Sequence, residues 1–468
     1  MSRRLLWLAV AAFATGFSWL SILRHRAFST GRFDLGNMVQ ALWSTAHGQP
    51  LRMTSLDGDQ ISRLAAHVDP VLVLLTPLWW AWPSPNLLVT LQAAAIALGA
   101  VPLFRLGARH LGSDRGSLYL AVAYLLYPAT QWLALNEFHP VALACPLLLW
   151  AIDLLDQGRL FAAAPVLALA ALTKEEVGLV VAGLGLWYAL ARGRRQAGAV
   201  IAAAGVAWSA IAVWAIIPHF NHGESSFFGR YDDVGGSPGG IAKTAVHDPW
   251  QLVRVGLDHA GVHYLLDLVL PLAGVALLAP ALLVAALPEL VLNLLSSATP
   301  QSSIHFHYTA AEIPVLMAAA VFGAARLPLR ATTTAGAVLL AALVSSWRLG
   351  AIPFWAEVPG GEKLQSRDHV VTEHDRIAAR ALRLIPERAV VSATNTLGAH
   401  LSARARILSF PYVEDATWVA ADETSPGYAD RIAPEATAVQ LAWLRRNPAW
   451  KLVFEQDAVL VFRRVLPP

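Results

Sequence analysis

The sequence predicts an all-α polytopic membrane protein with a small α/β domain at its C-terminal end. The 468-residue chain is 56% hydrophobic and 14% charged, whereas about 25% of the residues of a soluble domain are charged. Apolar runs approaching the roughly 20 residues that a bilayer-crossing helix needs recur as far as residue 349. Beyond residue 350 charged and apolar residues alternate, as is typical of a compact domain outside the membrane.

About eleven transmembrane helices are predicted along the chain. The candidate segments are 5–23, 86–108, 116–133, 140–155, 160–173, 177–191, 197–217, 263–279, 281–295, 309–325 and 331–349. The first has no clear small-residue cleavage site and is therefore predicted to be an uncleaved span, not a signal peptide. The apolar segment 68–82 is interrupted by prolines, and we predict that it lies in the membrane interface without crossing.

The basic residues between these spans predict the orientation. With a cytoplasmic N-terminus, the arginines at positions 3, 4, 105, 109, 115, 159, 192, 194, 195, 326 and 330 all face the cytoplasm, as the positive-inside rule requires. Arg24, Arg26 and Arg32 count against this orientation. We predict a multi-pass protein of the cytoplasmic membrane, with a transmembrane domain at 1–350. The outer loops 24–85 and 218–262 and a domain at 351–468 would then be extracytoplasmic.

The C-terminal domain is predicted to contain both helices and strands. Strand patterns cover 388–393, 451–454 and 458–463, and the last two read as a hairpin around a polar turn. Helical periodicity fits 375–384 and 436–446. At roughly 110 residues the segment is long enough to form its own core.

Polar clusters interrupt the apolar sequence at the predicted outer face. In chain order they are Asp34, His67 with Asp69, Glu137 with His139, Lys174-Glu175-Glu176, and His305 with His307-Tyr308. Charged groups near a bilayer are costly without partners and often mark functional sites. We therefore predict one polar site that opens outward.

Each cluster also has a purely structural interpretation. The Asp34 carboxylate would either cap the amphipathic helix that begins there or act as a general base. Glu137 and His139 form either a solvated loop or part of a site beside the membrane. The triplet 174–176 is either a tight turn or a site. We favour the site, because almost no loop is present to solvate three charges and Lys174 suits a phosphate partner.

Metal binding is only weakly indicated. His305 and His307 have the spacing of a ligand pair, and His67 lies near Asp69, but no third ligand is evident. Hydrogen-bonding histidines are therefore preferred over metal ligands. The acidic residues in 57–59 flank a glycine, a pattern more typical of a turn. A divalent cation remains an open alternative as cofactor, with no metal site assigned.

The order of these motifs resembles a bacterial family of predicted multi-pass membrane proteins of unknown function, grouped with the GT-C glycosyltransferases. The residues that carry the resemblance are Phe33-Asp34-Leu35-Gly36-Asn37, Leu42-Trp43, His47-Gly48, His67 with Pro70 and Pro77, Phe138-His139, Lys174-Glu175-Glu176, Pro280, Pro288-Glu289, Asn293, His307-Tyr308, Ile385-Pro386, Leu401-Ser402 and Arg404. They extend over most of the chain, which the resemblance implies has a GT-C-like transmembrane domain.

The resemblance implies a glycosyltransferase that moves a sugar from a polyprenyl-phosphate carrier to an extracytoplasmic acceptor. Asp34 would be the general base, and Glu137 a second catalytic carboxylate that orients the acceptor or a cation. Lys174, with His67 or His139, would neutralise the departing phosphate. Substrate or phosphate binding is also expected of Glu175, Glu176, His307 and Tyr308. The first motif has one acidic residue where the resembled enzymes have a pair, which weakens any inference of metal dependence.

The expected partners are a polyprenyl-phosphate sugar donor, a lipid, glycan or protein acceptor, and membrane lipids. Nucleic acid is not expected, since the formal net charge is only +3. The alternative function is a membrane transporter or lipid flippase with an outward-facing polar cavity, using Glu175, Glu176 and the mid-span Glu289 along a pathway. That alternative predicts symmetry between the two halves of the sequence, which is not clearly visible.

Overall fold

Helices dominate residues 1–349 in the computed structural model, which describes residues 1–364, 366–427, 429–431 and 434–466. The α-helices of this part are Ser2–Arg26, Asn37–Ala46, Val71–Leu74, Thr76–Ala81, Pro85–Leu98, Ala100–Leu111, Asp114–Leu126, Pro128–Leu135, Ala144–Asp156, Leu160–Ala171, Val177–Leu190, Arg195–Ile211, Ile217–Asn221, Pro238–His247, Pro249–Gly256, His259–Val269, Pro280–Leu283, Leu287–Leu295, Glu312–Arg326 and Ala331–Leu349. One π-helical turn, Arg32–Gly36, precedes the second helix, and another, Ala212–Ile216, continues the helix that starts at Arg195.

The described residues contain three helices long and apolar enough to cross a bilayer: Ser2–Arg26, Pro85–Leu111 and Arg195–Asn221. A fourth crossing is obtained if Asp114–Leu126 and Pro128–Leu135, which are bent by 49° at Pro128, form one span. The predicted count of about eleven spans is therefore not confirmed. Proline explains part of the difference, because its ring removes a backbone donor and breaks a helix. The predicted spans 263–279 and 281–295 are divided in this way into shorter helices.

The segment predicted to lie in the interface contains two short helices, Val71–Leu74 and Thr76–Ala81. They meet just before Pro77. The segment presents exposed apolar side chains, including Leu74 and Trp80. Between this segment and the first helix, the short strands Arg52–Thr54 and Gln60–Ser62 pair in an antiparallel hairpin. The acidic residues at 57–59 lie in its turn, where Gly58 has a φ of +97°.

The C-terminal part contains a five-stranded sheet with helices around it. The spatial order of the strands is Ile407–Ser409, Val391–Ala393, Trp418–Asp422, Val459–Arg464 and Trp450–Gln456. The first three strands are parallel and the last two pairings are antiparallel. The helices are Glu373–Leu382, Asn395–Leu401 and Pro434–Arg446. A small C-terminal domain with a sheet and helices is thus present, and the predicted hairpin forms its last two strands.

Two of the arginines that counted against the predicted orientation have internal partners. The Arg24 guanidinium donates to the Leu135 carbonyl oxygen over 2.8 Å and lies 3.6 Å from the Asp368 carboxylate. The buried Arg32 guanidinium donates to the Ile407 carbonyl oxygen over 2.8 Å and to the Ser409 hydroxyl over 2.7 Å. Both charges therefore join the helical part of the chain to the C-terminal part.

Candidate functional site

A polar cavity of about 350 Å³ lies between the loop 24–85, the turns that join neighbouring helices and the loop after Leu295. Its lining includes six of the residues predicted for the site: Asp34, His67, His139, Lys174, His307 and Tyr308. Two further predicted residues, Glu175 and Glu176, line a neighbouring cavity. Glu137 lies partly buried behind the Asp34 turn. The chain thus gathers residues that are far apart in sequence around one polar space.

Asp34 lies inside the π-helical turn Arg32–Gly36, so it does not occupy the capping position. Gly31 is the residue before the turn. The Gly36 N–H donates to the Gly31 carbonyl oxygen over 3.0 Å, which closes the wide turn. The Asp34 side chain is 43% exposed and borders the cavity. Its carboxylate is therefore accessible to a ligand.

The Glu137 side chain stabilises this turn through hydrogen bonds to its backbone. It accepts the backbone N–H of Gly31 over 3.0 Å and that of Leu35 over 2.9 Å. Glu137 has a φ of +45°, in the left-handed region that few non-glycine residues adopt. Burial raises the pKa of Glu137 to about 8 and the Asp34 carboxylate adds to the shift, whereas the two N–H groups act against it. The Glu137 side chain thus binds the backbone N–H groups of the turn, a role that was one of the two alternatives for Asp34.

The C-terminal domain holds the same turn from its other side. The Asn395 side-chain oxygen accepts the Phe33 N–H over 3.0 Å. Arg32, at the start of the turn, donates to residues 407 and 409 of the sheet. The loop around Asp34 is consequently fixed by both parts of the chain.

His139 lies beside Asp34 in the wall of the cavity. Its Nε2 lies 3.5 Å from Asp34 Oδ1, and its Nδ1 lies 3.0 Å from the Asn136 carbonyl oxygen. Because a carbonyl oxygen only accepts, Nδ1 carries a proton. Nε2 itself is buried. The His307 ring stacks on His139 at 3.7 Å between centroids. Burial lowers the pKa of His307, and the neighbouring His139 adds to this effect.

Lys174 provides a cation in the lining of the same cavity. It lies in the turn between Leu160–Ala171 and Val177–Leu190. Its ammonium group forms an ion pair with Glu176 and lies 5.4 Å from the centre of the Tyr308 ring. Burial disfavours the charged ammonium, but the carboxylates of Glu176 and Glu175 outweigh it and raise the pKa of Lys174.

His67 and Glu175 form a second pair beside this lysine. His67 Nδ1 is 2.8 Å from Glu175 Oε1, and the Val68 N–H donates to Glu175 Oε2 over 2.9 Å. Burial raises the pKa of Glu175, but His67, Lys174 and the Val68 N–H outweigh it and lower the value to about 2. Glu175 is therefore an ionised carboxylate that fixes the orientation of the His67 ring.

Arg230 and Phe227 complete the wall and were not predicted from the sequence. Phe227 stacks on His67 at 4.4 Å and lies under the Arg230 guanidinium, which is 4.5 Å from the ring centre. Arg230 also donates to the Tyr308 hydroxyl over 3.3 Å. Both residues belong to the long loop 218–262, where no local motif distinguishes them.

A second cavity of about 210 Å³ shares this wall. Both cavities are lined by His67, Lys174, Phe227, Arg230 and Tyr308. The remaining lining of the second cavity includes the aliphatic side chains of Leu179, Val213, Ile217, Ile241 and Leu292. It also includes the buried Glu289. Lys174 and Arg230 thus border both cavities, of which the second has the more aliphatic lining.

The residues considered as pairs of metal ligands make other contacts in the structure. His305 lies against Trp132, with 4.9 Å between ring centres, whereas His307 stacks on His139. The Asp69 carboxylate forms an ion pair with Arg63 at 2.9 Å. Within the described part of the chain, no group of three or more His, Cys, Asp or Glu side chains is arranged to hold a metal ion.

Comparisons with known proteins define the family and the fold. The chain is similar to ArnT from Cupriavidus metallidurans in its apo state, with a TM-score of 0.58, 11% identity and 99% of each chain covered. It is also similar to the apo oligosaccharyltransferase of Archaeoglobus fulgidus, with a TM-score of 0.48 and 14% identity over 93% of this chain and 71% of that one. No curated protein matches.

These structural neighbours are GT-C glycosyltransferases, and the similarity to ArnT shows a shared fold across the whole chain. A family model of predicted membrane proteins matches residues 24–461. Since this match includes nearly all of the sequence, the chain belongs to the DUF2079 family of predicted membrane proteins.

Proposed function

We propose that the protein is an integral membrane glycosyltransferase that moves a sugar from a polyprenyl-phosphate carrier to an extracytoplasmic acceptor. One observation carries the proposal: an accessible carboxylate, Asp34, and two cationic side chains, Lys174 and Arg230, line the same cavity of about 350 Å³. Transfer from a phosphate carrier needs a base for the acceptor and positive charge for the leaving group. The ArnT-like fold supports the same class of reaction.

The acceptor reacts on the Asp34 side of the cavity. Its hydroxyl oxygen forms a bond to the anomeric carbon while the hydroxyl proton passes to the Asp34 carboxylate. The His139 ring, with Nε2 3.5 Å from Asp34 Oδ1, forms the neighbouring part of the wall against which the acceptor packs. A general base must lie within hydrogen-bond reach of the proton that it takes, and the half-exposed Asp34 side chain meets this condition.

The carrier phosphate binds at the wall shared by the two cavities. As the bond between the anomeric carbon and the phosphate oxygen breaks, its electron pair moves to the phosphate, where negative charge increases. Lys174 and Arg230 stabilise this charge, with His67 and Tyr308 as further polar contacts. Preorganised cations aimed at developing charge are among the strongest contributions to catalysis.

The remaining predicted residues hold these groups in place. Glu137 positions the Asp34 turn through backbone N–H groups, which replaces the predicted role of orienting the acceptor or a cation. Glu175 orients His67, and Glu176 pairs with Lys174. His307 packs against His139 and keeps that ring facing the base.

The second cavity accommodates the first isoprene units of the carrier. Its aliphatic lining is compatible with a hydrocarbon chain, and it reaches the same cations as the polar cavity. The transport alternative needs acidic groups at successive depths of the bilayer. In the structure, Glu175, Glu176 and Glu289 all line this one cavity, an arrangement that favours the transferase.

Sugar transfer by the purified protein in lipid vesicles tests this proposal, using a panel of polyprenyl-phosphate sugars as donors. We expect Asp34→Asn to reduce transfer about 10²- to 10⁴-fold, the usual effect of losing a general base, with donor binding retained. Lys174→Ala should also weaken donor binding, because the phosphate is charged before the bond breaks.

Asp59→Asn is the matched control, since Asp59 is an exposed carboxylate of the same outer loop. It should transfer sugar like the unmodified protein. Full activity of Asp34→Asn would exclude the catalytic role of Asp34. Absence of transfer from every donor, with substrate movement across the vesicle membrane instead, would favour the transporter.

A further inference from the structure

A basic groove of about 520 Å³ lies where the first helix meets the C-terminal domain. Its charged lining residues are Arg26, Arg376, Arg383 and Arg404, with the acidic Asp375 and Glu387. Phe28, Leu382 and Ile385 contribute apolar surface to the same groove. The groove thus combines an excess of guanidinium groups with an apolar floor, away from the residues assigned to sugar transfer.

Three of the four arginines are available to a ligand. Arg404 is buried, and its guanidinium donates to the Ala389 carbonyl oxygen over 2.9 Å. Arg26 and Arg383 are exposed. Among the described residues, the ion-pair partner of Arg376 is the solvent-exposed Glu373, and such a contact contributes little and is readily exchanged.

The acidic lining residues only partly offset this charge. The Asp375 carboxylate is engaged in its own helix cap, where it accepts the Thr372 N–H over 2.6 Å and the Thr372 hydroxyl over 2.7 Å. Glu387 is exposed and remains as an opposing charge at the rim. The three available arginines therefore give the groove a net positive potential, which favours an anionic ligand.

The position of Arg26 identifies the level of the groove relative to the bilayer. Arg26 is the last residue of Ser2–Arg26, one of the helices long enough to cross the hydrocarbon. The end of a crossing helix lies among lipid headgroups on whichever side it emerges. We propose that the groove binds the headgroup of an anionic phospholipid, with the phosphate at the arginines and the upper acyl chain on the apolar floor.

This binding joins the C-terminal domain to the membrane surface, because Arg26 belongs to the first helix whereas Arg376 and Arg383 belong to the C-terminal part. It also gives a role to Arg26, the third arginine that counts against the positive-inside pattern. The inference does not depend on sugar transfer, and its test requires no enzymatic activity.

Binding of phosphatidylglycerol to the detergent-purified full chain, followed by native mass spectrometry, tests the proposal. A basic residue near an anionic lipid surface contributes about fivefold in affinity, so the triple variant Arg26→Gln, Arg376→Gln, Arg383→Gln should lose on the order of 100-fold. The corresponding triple lysine variant keeps the charge and should retain most of the binding. Raised salt should weaken binding by the unmodified chain.

Arg388→Gln is the control, because Arg388 is an exposed arginine of the same domain that does not line the groove. It should bind phosphatidylglycerol normally. Equal binding of phosphatidylglycerol and zwitterionic phosphatidylcholine by the unmodified chain would overturn the proposal. Undiminished phosphatidylglycerol binding by the folded triple glutamine variant would overturn it as well.

Discussion

The two acidic residues predicted to be catalytic, Asp34 and Glu137, differ in what their carboxylates contact. Asp34 is 43% exposed and borders the polar cavity. Glu137 is partly buried, and its carboxylate oxygens accept the backbone N–H groups of Gly31 and Leu35. A carboxylate that already accepts several donors is poorly placed to take a proton from a substrate. Under the proposed function, Asp34 is therefore the candidate for the proton transfer, and Glu137 positions its turn.

This assignment predicts a specific effect of Glu137→Gln. The amide keeps one acceptor oxygen but places an NH2 group where the second oxygen accepts a backbone N–H, so the turn should loosen. We expect transfer to fall up to about 10²-fold, the scale of a misplacement of roughly 1 Å at a reacting group. Hydrogen exchange of residues 31–36, followed by mass spectrometry, should become faster.

Asp34→Asn provides the comparison for this experiment. It should reduce transfer about 10²- to 10⁴-fold while leaving hydrogen exchange of the turn unchanged, because the Asp34 side chain does not hold the turn. If Glu137→Gln reduced transfer without altering exchange in residues 31–36, Glu137 would contribute to the chemistry and not to positioning.

The sequence singled out residues that line the cavity better than it predicted the contacts that hold them. Asp34, His139 and Lys174 stand out because polar groups interrupt apolar sequence. The contact between Glu137 and Leu35, in contrast, joins residues 102 positions apart, and that between Asn395 and Phe33 spans 362 positions. Local patterns carry no information about such long-range pairs. Whether a carboxylate caps a helix or faces a substrate therefore had to come from the tertiary structure.

At the scale of elements, two tightly packed helices support the wall of the site. Val177–Leu190 and Arg195–Ile211 approach closely at glycines, where a methyl group added to Gly178 would lie 2.6 Å from the Gly205 carbonyl oxygen. Small residues allow such close helix contacts in membranes. At the same crossing the Ser209 hydroxyl donates to the Glu175 carbonyl oxygen over 2.6 Å. The crossing thus fixes the turn that carries Lys174 and Glu175.

We predict that Gly205→Ala destabilises the protein by about 1–3 kcal/mol, the usual cost of overpacking. The added methyl group would overlap the Gly178 carbonyl oxygen, so the two helices must separate. Thermal unfolding in detergent should show a lower midpoint. Gly16→Ala is the control, because nothing lies within 4 Å of a methyl group added there. A midpoint unchanged by Gly205→Ala would mean that the helices are not held at this distance.

Element boundaries were predictable where a pattern continued without interruption. The hairpin Trp450–Gln456 with Val459–Arg464 was predicted because two apolar stretches flank a polar turn. Ile407–Ser409 and Trp418–Asp422 were missed because they are short and mostly buried, which leaves little alternation of polar and apolar residues. The predicted count of about eleven spans is not confirmed for a related reason, since hydropathy alone does not register the helix breaks at residues such as Pro271 and Pro288.

At the scale of the whole molecule, the site belongs to both parts of the chain. The turn with Asp34 is held by Glu137 from the helical part and by Asn395 from the C-terminal domain. Arg32 adds a buried connection to the sheet. The C-terminal domain must consequently lie on the same side of the membrane as Asp34 and the cavity. This conclusion links the location of the chemistry to the orientation of the chain.

The orientation is testable with single cysteines, because the one native cysteine, Cys145, is buried. Val439 is 69% exposed on a helix of the C-terminal domain, and Gln196 is exposed in the predicted cytoplasmic loop 192–196. With a cytoplasmic N-terminus, we expect a membrane-impermeant maleimide added to intact cells to label Val439→Cys. Gln196→Cys should react only after the membrane is permeabilised, because its basic loop faces the cytoplasm.

The unmodified chain controls for reaction at Cys145 and should remain unlabelled under both conditions. Labelling of both introduced cysteines in intact cells would contradict the arrangement of the spans between residues 196 and 439. Labelling of Gln196→Cys alone would place Asp34 and the whole cavity in the cytoplasm, because the C-terminal domain and the Asp34 turn are joined directly. The proposed extracytoplasmic transfer would then be wrong even if the same residues carried out the chemistry.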